Sequence, residues 1–121
     1  MPVRSLNTAV FRWPGREEVL AAARRWAEDV ARTDPGMKHV FCVGSYARGD
    51  WGVGSDLDVI VVTESAAGLS LVERHKRYEP VSVPVPAEVC VYTPSEWGEL
   101  AKDRPHLRRR LDEEALDLLS A

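Results

Sequence analysis

The first clear pattern along the chain is a helical one. Between residues 16 and 33, apolar side chains recur at helical spacing with charged residues between them, at Val19, Ala22, Ala23, Trp26, Ala27 and Val30. The Asp-Pro-Gly segment at 34–36 interrupts this pattern, because proline and glycine both disfavour a continued helix. The spacing therefore predicts an amphipathic helix over 16–33.

Three later runs have the composition of β-strands. Residues 38–43, KHVFCV, and residues 87–92, AEVCVY, are rich in β-branched and aromatic side chains. Residues 57–63, LDVIVVT, are apolar almost without a break, which is typical of a strand buried on both faces. The segment 80–86, PVSVPVP, is predicted to be a loop or a sheet edge, because its prolines lack the N–H donors of a central strand.

Helical patterns separate and follow these strands. Residues 69–79 predict a helix whose apolar side is formed by Leu71, Val72, His75 and Tyr78. Thr93 and Glu96 have the spacing of a capping box, with Pro94 in the first turn of the helix that follows. A further helix is expected from about 105 to 112, and the tail after it is compatible with either helix or strand.

The order helix, strand, loop, strand, helix, strand, helix predicts an α/β (or α+β) fold with a small mixed sheet packed with helices. The length of 121 residues suits a single domain over 1–121. Apolar residues make up 45% of the chain, charged residues make up 29%, and the formal net charge is -3. This balance argues against a nucleic-acid partner, since nucleic-acid-binding domains are normally basic.

Neither a membrane span nor an export signal is predicted. The chain contains no apolar run of about eighteen residues, and its first ten residues lack the apolar stretch of a secretory signal. Cys42 and Cys90 lie in strand-like runs without metal-ligand spacing. They are interpreted as buried free thiols, which fits a reducing, cytoplasmic location.

The glycine-rich segment 43–62, VGSYARGDWGVGSDLDVIVV, contains the candidate chemistry. Asp56 and Asp58 flank Leu57 at the start of a predicted strand, so alternation places both carboxylates on one face. Two neighbouring carboxylates repel each other unless a cation lies between them. Oxygen ligands suit Mg²⁺ or Mn²⁺, and the pair is therefore interpreted as a metal site.

The residues before the aspartates suit an anionic ligand. Gly44 allows the backbone to approach a phosphate closely, and the Ser45 hydroxyl can donate a hydrogen bond to it. Arg48 supplies a positive charge nearby. Trp51 lies in the same loop, where it either stacks on a nucleotide base or packs against the loop itself.

The combined pattern resembles the nucleotidyltransferase superfamily, which includes DNA polymerase β, and most closely its minimal nucleotidyltransferases of antitoxin type. The matching segments are Gly44-Ser45, Ala47-Arg48-Gly49 and, ten residues after the Gly-Ser pair, Asp56-Leu57-Asp58 preceded by Ser55. The resemblance implies a nucleotidyltransferase fold and metal binding by Asp56 and Asp58. It implies nucleotide binding by Gly44, Ser45, Arg48 and Ser55.

The resemblance also implies a third acid on the next strand, for which Glu88 is the candidate. The family more often has aspartate there. Glutamate is one methylene longer, so its carboxylate can still reach a metal, with a different geometry. In this interpretation Glu88 completes a catalytic two-metal site with Asp56 and Asp58. The alternative is that Glu88 is a solvent-facing residue at the sheet edge.

The implied reaction transfers a nucleoside monophosphate, AMP from ATP, to a hydroxyl group while pyrophosphate leaves. Minimal nucleotidyltransferases are commonly paired with a small helical HEPN-type toxin, so the implied acceptor is a tyrosine of such a partner. Two alternatives stay open. In the first, the protein is a binding module whose metal site is weak or inactive, and it neutralises a partner by contact alone. In the second, it is an enzyme that modifies a small molecule such as an antibiotic. Self-association is compatible with the sequence as well.

Other conspicuous residues have ordinary structural explanations. The three histidines lack zinc-ligand spacing and are interpreted as surface or packing residues: His39, His75 and His106. Three tryptophans are interpreted as core or interface anchors: Trp13, Trp26 and Trp97. The arginine run 108–110 is interpreted as a solvated helix face, with contact to nucleotide phosphates as the alternative.

Overall fold

The computed structural model describes residues 12–119, so the N-terminal ten residues discussed above lie outside the described part. Helix α1, Arg16–Thr33, has the bounds that the sequence predicts. One side of this helix is buried, formed by Val19, Leu20, Ala22, Ala23, Trp26 and Ala27. The helix ends at Asp34, whose backbone is extended (φ -128°), as expected before Pro35. Burial of the apolar side confirms the amphipathic pattern.

Within residues 12–119, the strands form one mixed sheet. The strands are β1, Met37–Val43, β2, Leu57–Thr63, β3, Ala87–Tyr92, and β4, Leu116–Asp117. Their order across the sheet is β3-β2-β1-β4. Strand β1 is antiparallel to both β2 and β4, whereas β2 and β3 are parallel. The tail, which is compatible with either structure by sequence, is therefore a short strand at one edge of the sheet.

Four further helices follow within the described residues, and two of them begin at capping boxes. The four are α2, Ser45–Arg48, α3, Leu71–Arg77, α4, Pro94–Asp103, and α5, Pro105–Glu114, with a 3₁₀ turn at Glu64–Ala66. The predicted capping box at the start of α4 is present, and Ser70 and Glu73 form another at the start of α3. Helix α5 extends beyond its predicted end to Glu114. No helix in the described part of the chain is long and apolar enough to cross a membrane.

Helices cover both faces of the sheet, and β2 is buried between them. Val59 and Val61 of β2 belong to the core that includes α1 and Tyr78. Ile60 and Val62 pack with Trp97 of α4 on the other face. The alternation of strand side chains explains this division, because successive residues point to opposite faces. The mixed sheet with helices on both faces confirms the predicted fold class.

Helix α3 differs from its predicted orientation. Leu71 and Val72 are 73% and 64% exposed, and His75 is exposed as well. Of the predicted apolar side, Tyr78 is buried, and Arg74, which was not part of that side, is buried as well. The prediction is therefore confirmed for Tyr78 and wrong for Leu71, Val72 and His75. The physical reason is that Arg74 and Tyr78 satisfy their polar atoms through hydrogen bonds inside the protein, which hydropathy alone does not reveal.

The two cysteines also differ in environment. Cys42 is fully buried, as predicted, whereas Cys90 is exposed. The prediction of a buried Cys90 is wrong because β3 is an edge strand, and its residues alternate between the α1 side and a face that other elements leave uncovered there. Val89 and Val91 point to the core, and Glu88 and Cys90 point away from it.

Candidate functional site

The parallel pairing of β2 and β3 brings two predicted site residues side by side. Asp58 and Glu88 are directly opposite each other in the strand register. Residues opposite each other in a sheet project to the same face, so the two carboxylates are neighbours. Asp58 is partly buried and Glu88 is exposed. Asp56 precedes β2 by one residue and is exposed.

Negative charge accumulates around Asp58. Its pKa is raised above the ordinary value of 3.8, first by burial and then by the charges of Glu88 and Asp56. The nearby Arg48 opposes this rise. A carboxylate whose charge is disfavoured by its neighbours is stabilised by a bound cation as well as by a proton. The electrostatics of the three acids therefore favour a cation at this face of the sheet.

The donor chemistry of these acids fits a hard divalent cation, because all three offer carboxylate oxygens. In residues 12–119, however, no group of three or more His, Cys, Asp or Glu side chains is arranged closely enough to hold a metal ion. The three acids share one region without forming a ready cage. Magnesium in such sites commonly keeps water and phosphate oxygens as further ligands, so one or two of these carboxylates suffice on the protein's side.

Gly44 joins the end of β1 to this acidic region. Its backbone has φ 78° and ψ -154°, a conformation that is accessible almost only to glycine. A Cβ atom at this position would collide with Oδ2 of Asp58. Ser45 then begins α2, where the N–H of Arg48 donates to the carbonyl oxygen of Gly44 at 2.9 Å. The predicted phosphate-binding residues Gly44, Ser45 and Arg48 are therefore adjacent to Asp58.

The short helix α2 is held in place by side chains that lie outside the Gly-Ser motif. The guanidinium of Arg16 donates to the carbonyl oxygens of Tyr46, at 2.7 Å, and Ala47, at 3.2 Å. Tyr46 is fully buried, and its hydroxyl accepts a hydrogen bond from Nε1 of Trp13 at 3.0 Å. The ring of Trp51 stacks on that of Tyr46 with centroids 5.6 Å apart. This contact favours the packing explanation for Trp51.

Ser55 makes its contacts within the glycine-rich loop. Its hydroxyl accepts a hydrogen bond from the N–H of Gly52 at 2.8 Å, and its own N–H donates to the carbonyl oxygen of Gly52 at 3.0 Å. These bonds close the turn that leads into Asp56. A role of Ser55 in nucleotide binding stays a prediction.

A further acid, Glu114 at the end of α5, reaches into the same region. Its Oε2 accepts a hydrogen bond from the N–H of Gly44 at 2.5 Å, and its Oε1 lies 3.3 Å from Nη1 of Arg48. Its charge also contributes to the raised pKa of Asp58. No local sequence signal marks Glu114 as a site residue, because it is 70 positions from Gly44 and belongs to no motif.

The comparisons with known proteins agree with this architecture. A family model for the nucleotidyltransferase domain matches residues 23–117. A candidate nucleotidyltransferase from Sulfolobus solfataricus is structurally similar, with a TM-score of 0.60, 22% identity, and coverage of 84% of this chain and 80% of that chain. A toxin–antitoxin structure with AMP-PNP is similar with a TM-score of 0.54, 17% identity, and coverage of 81% and 73%. A search of curated proteins found no significant match.

The two structural similarities establish a shared fold, because their sequence identities are low. The family match is more specific, since it begins within α1, ends in β4, and includes both the Gly-Ser pair and all three candidate acids. The chain therefore belongs to the nucleotidyltransferase domain family.

Proposed function

We propose that this protein is a metal-dependent nucleotidyltransferase that transfers AMP from ATP to a hydroxyl group of a protein partner in the cytoplasm. The observation that carries this proposal is the contact of Gly44 with the Asp58 carboxylate, together with the register that pairs Asp58 with Glu88. This arrangement joins a segment suited to phosphate with a cluster of acids suited to a divalent cation.

The acids and the Gly-Ser segment have different roles in this proposal. Asp56 and Asp58 would hold Mg²⁺ or Mn²⁺, and Glu88 would complete the site. The bound cation would supply neutralisation of the charge that develops on the phosphate oxygens. Ser45 and the backbone near Gly44 would bind the β- and γ-phosphates, with Arg48 adding positive charge. Positioning and electrostatic stabilisation would then account for most of the rate acceleration.

The proposed reaction is an in-line displacement. The acceptor's hydroxyl oxygen forms a bond to the α-phosphorus of ATP, and the bond between that phosphorus and the bridging oxygen to the β-phosphate breaks. Pyrophosphate leaves with the bonding electron pair. The hydroxyl proton passes to Glu88, which is exposed at the sheet edge and accessible to an acceptor. Asp58 is less accessible, since it is partly buried beneath Gly44.

The acceptor that we propose is a tyrosine of a helical HEPN-type toxin, which places this protein in the role of an antitoxin. A toxin–antitoxin structure with AMP-PNP shares the fold, which supports both a nucleotide ligand and a toxin partner for this chain. The exposed Glu88 at the edge of the sheet allows a protein surface to approach the reacting group.

Labelled ATP tests the reaction directly. The protein is incubated with Mg²⁺ and a HEPN-type toxin, using ATP labelled at either the α- or the γ-phosphate. Transfer of AMP predicts that the partner gains the α-label and not the γ-label, with a matching mass increase. Asp58→Asn and Asp56→Asn should abolish the labelling, whereas the control Asp103→Asn, at the exposed end of α4, should retain it. Incorporation of the γ-label, or full activity of both site variants, would refute the proposal.

A second candidate function is neutralisation of the partner by contact alone. It is favoured by one observation, that no three acidic, histidine or cysteine side chains in residues 12–119 form a ready metal site. The two candidates differ in what Asp58→Asn does in cells. If this variant still binds the partner and no longer neutralises it, catalysis is required. If neutralisation survives with the same complex, contact is sufficient.

A further inference from the structure

Glu114 binds the same hydrogen-bond donors that, in the proposed function, bind the nucleotide phosphates. Its two carboxylate oxygens have separate partners, the backbone N–H of Gly44 and the guanidinium of Arg48. The side chain is only 12% exposed, whereas that of Arg48 is 47% exposed. The Glu114 carboxylate is therefore largely enclosed at the entrance to α2, whereas the Arg48 guanidinium that it contacts is half-exposed.

A carboxylate and a phosphate compete for such donors. Both present anionic oxygens that accept hydrogen bonds from N–H groups, and both pair with a guanidinium. They cannot occupy one place together, because two anions at hydrogen-bond distance repel each other strongly. A nucleotide phosphate that uses Gly44 and Arg48 must therefore displace Glu114.

The surroundings of Glu114 allow this displacement. An open groove of about 450 Å³ lies beside Arg48 and Glu114, and its lining includes Arg110, Glu113 and Leu116. Arg110 lies on α5, as Glu114 does, and its guanidinium is a second positive charge in this groove. The Glu114 side chain can thus leave Gly44 and remain near a positive charge. Arg48 also contacts Asp50, at 3.1 Å, so it stays orientated when Glu114 moves.

We propose that Glu114 acts as an internal competitor for phosphate and so sets the affinity with which the site binds anionic ligands. Its carboxylate holds Gly44 and Arg48 in the nucleotide-free protein, so weakly charged anions do not displace it. A triphosphate with its divalent cation makes enough additional contacts to do so. This inference rests on the proposed function, because it assumes that nucleotide phosphates bind at Gly44 and Arg48.

Isothermal titration with AMP-PNP and Mg²⁺ tests the competition in the whole protein. Glu114→Gln keeps the shape of the side chain and removes its charge, so nucleotide should bind about tenfold more tightly than to the wild type. Inorganic pyrophosphate should gain affinity by a similar factor, because it must displace the same carboxylate. Glu113→Gln is the matched control, since it removes the same charge from the neighbouring position of α5 and should leave both affinities within about twofold.

A second measurement does not depend on a variant. In the wild-type protein labelled with ¹³C, addition of AMP-PNP and Mg²⁺ should shift the side-chain carboxyl resonance of Glu114 and the amide resonance of Gly44 together. Addition of acetate at the same ionic strength should shift neither. A Glu114 carboxyl resonance that does not move when nucleotide binds would overturn the inference.

The outcomes separate this inference from the proposed function. If the wild type binds AMP-PNP and Glu114→Gln binds it equally or more weakly, Glu114 merely supports the loop and the inference is wrong, whereas the proposed function stands. If neither protein binds the nucleotide with Mg²⁺ or Mn²⁺ at millimolar concentration, the proposed function fails and the inference fails with it.

Discussion

Gly44 lies so close to Asp58 that a Cβ atom on the glycine would collide with the aspartate carboxylate. The position of the Asp58 carboxylate therefore leaves no room for a side chain at position 44. The chain leaves β1 toward α2 with φ 78° and ψ -154° at Gly44, and the backbone there lies against Asp58. A glycine is therefore required here for two reasons, its backbone conformation and the absence of a side chain.

The first prediction follows from this contact. Gly44→Ala should lower the free energy of unfolding by about 2–3 kcal/mol, since it combines backbone strain with a collision. It should also displace the Asp58 carboxylate and abolish AMP-PNP binding. Gly49→Ala is the matched control, because Gly49 has φ 93° and open space around its α-carbon. Its cost should be about 1 kcal/mol of strain without loss of binding. Urea denaturation and nucleotide titration measure both effects, and equal losses in the two variants would contradict the explanation.

A buried carboxylate joins several elements on the α1 side of the protein. Asp34 is 3% exposed and accepts hydrogen bonds from the hydroxyls of Thr63 at 3.0 Å, Ser65 at 2.5 Å and Tyr78 at 2.7 Å. It also accepts one from the N–H of Gly36 at 3.0 Å. The end of α1, the end of β2 and the end of α3 therefore meet at one side chain.

The second prediction concerns this network. Asp34→Ala should destabilise the protein by about 3 kcal/mol, because it leaves buried hydroxyl donors without their acceptor. Tyr78→Phe should cost less, about 1 kcal/mol, because it removes one donor and leaves Asp34 with others. Chemical denaturation of the two variants measures these differences. A greater loss from Tyr78→Phe than from Asp34→Ala would show that ring packing outweighs the hydrogen bonds.

The third prediction is the pH dependence that Asp34 causes. Burial acts to raise its pKa, but the hydrogen bonds from Ser65, Tyr78, Thr63 and Gly36 outweigh it and lower the pKa below the ordinary value of 3.8. A lowered pKa in the folded state stabilises the protein above pH 3.8, and this stabilisation is lost as the pH falls toward the folded-state pKa. The free energy of unfolding should therefore fall on acidification from about pH 5, and Asp34→Asn should show a shallower fall. Asp103→Asn controls for loss of an exposed carboxylate.

The fourth prediction tests the unexpected orientation of α3. Arg74 donates to the carbonyl oxygens of Leu69 and Val91 and to both carboxylate oxygens of Glu96, at 2.7 and 3.2 Å. Arg74→Met should destabilise the protein by about 2–3 kcal/mol. The main cause is that buried carbonyl oxygens lose their hydrogen-bond donor, and loss of the ion pair with Glu96 contributes less. Lys76→Met, an exposed change on the same helix, should have little effect on urea denaturation. Similar stability of the two variants would contradict a structural role for Arg74.

The fifth prediction uses the cysteines as probes of the acidic face. Burial raises the pKa of Cys42 to about 12, so this thiol should react with a disulfide reagent only after denaturation. Cys90 is exposed, and its pKa is raised by partial desolvation and by the charges of Glu88 and Asp58. In a Cys42→Ser protein, Mg²⁺ should accelerate the reaction of Cys90 by offsetting those charges. Asp58→Asn should remove most of this acceleration, and an equal effect of K⁺ at matched ionic strength would argue against a divalent site.

Elements with local signals could be predicted from the amino-acid pattern. The apolar spacing of α1, the continuous apolar run of β2 and the capping box at Thr93 each depend on neighbouring residues, and the structure has all three. The Gly-Ser and Asp-x-Asp pattern is also local, and it led to the correct family.

Contacts between groups that are distant in the chain could be seen only after folding in three dimensions. The orientation of α3 depends on acceptors that Val91 and Glu96 supply, the exposure of Cys90 depends on β3 being an edge strand, and the place of Glu114 depends on where α5 ends beside β1. The spacing of apolar residues along one helix or strand predicts which of its sides is buried. It carries no information about which polar partner a packed neighbour brings to that side chain, and in this protein such partners decide the environment of the candidate site.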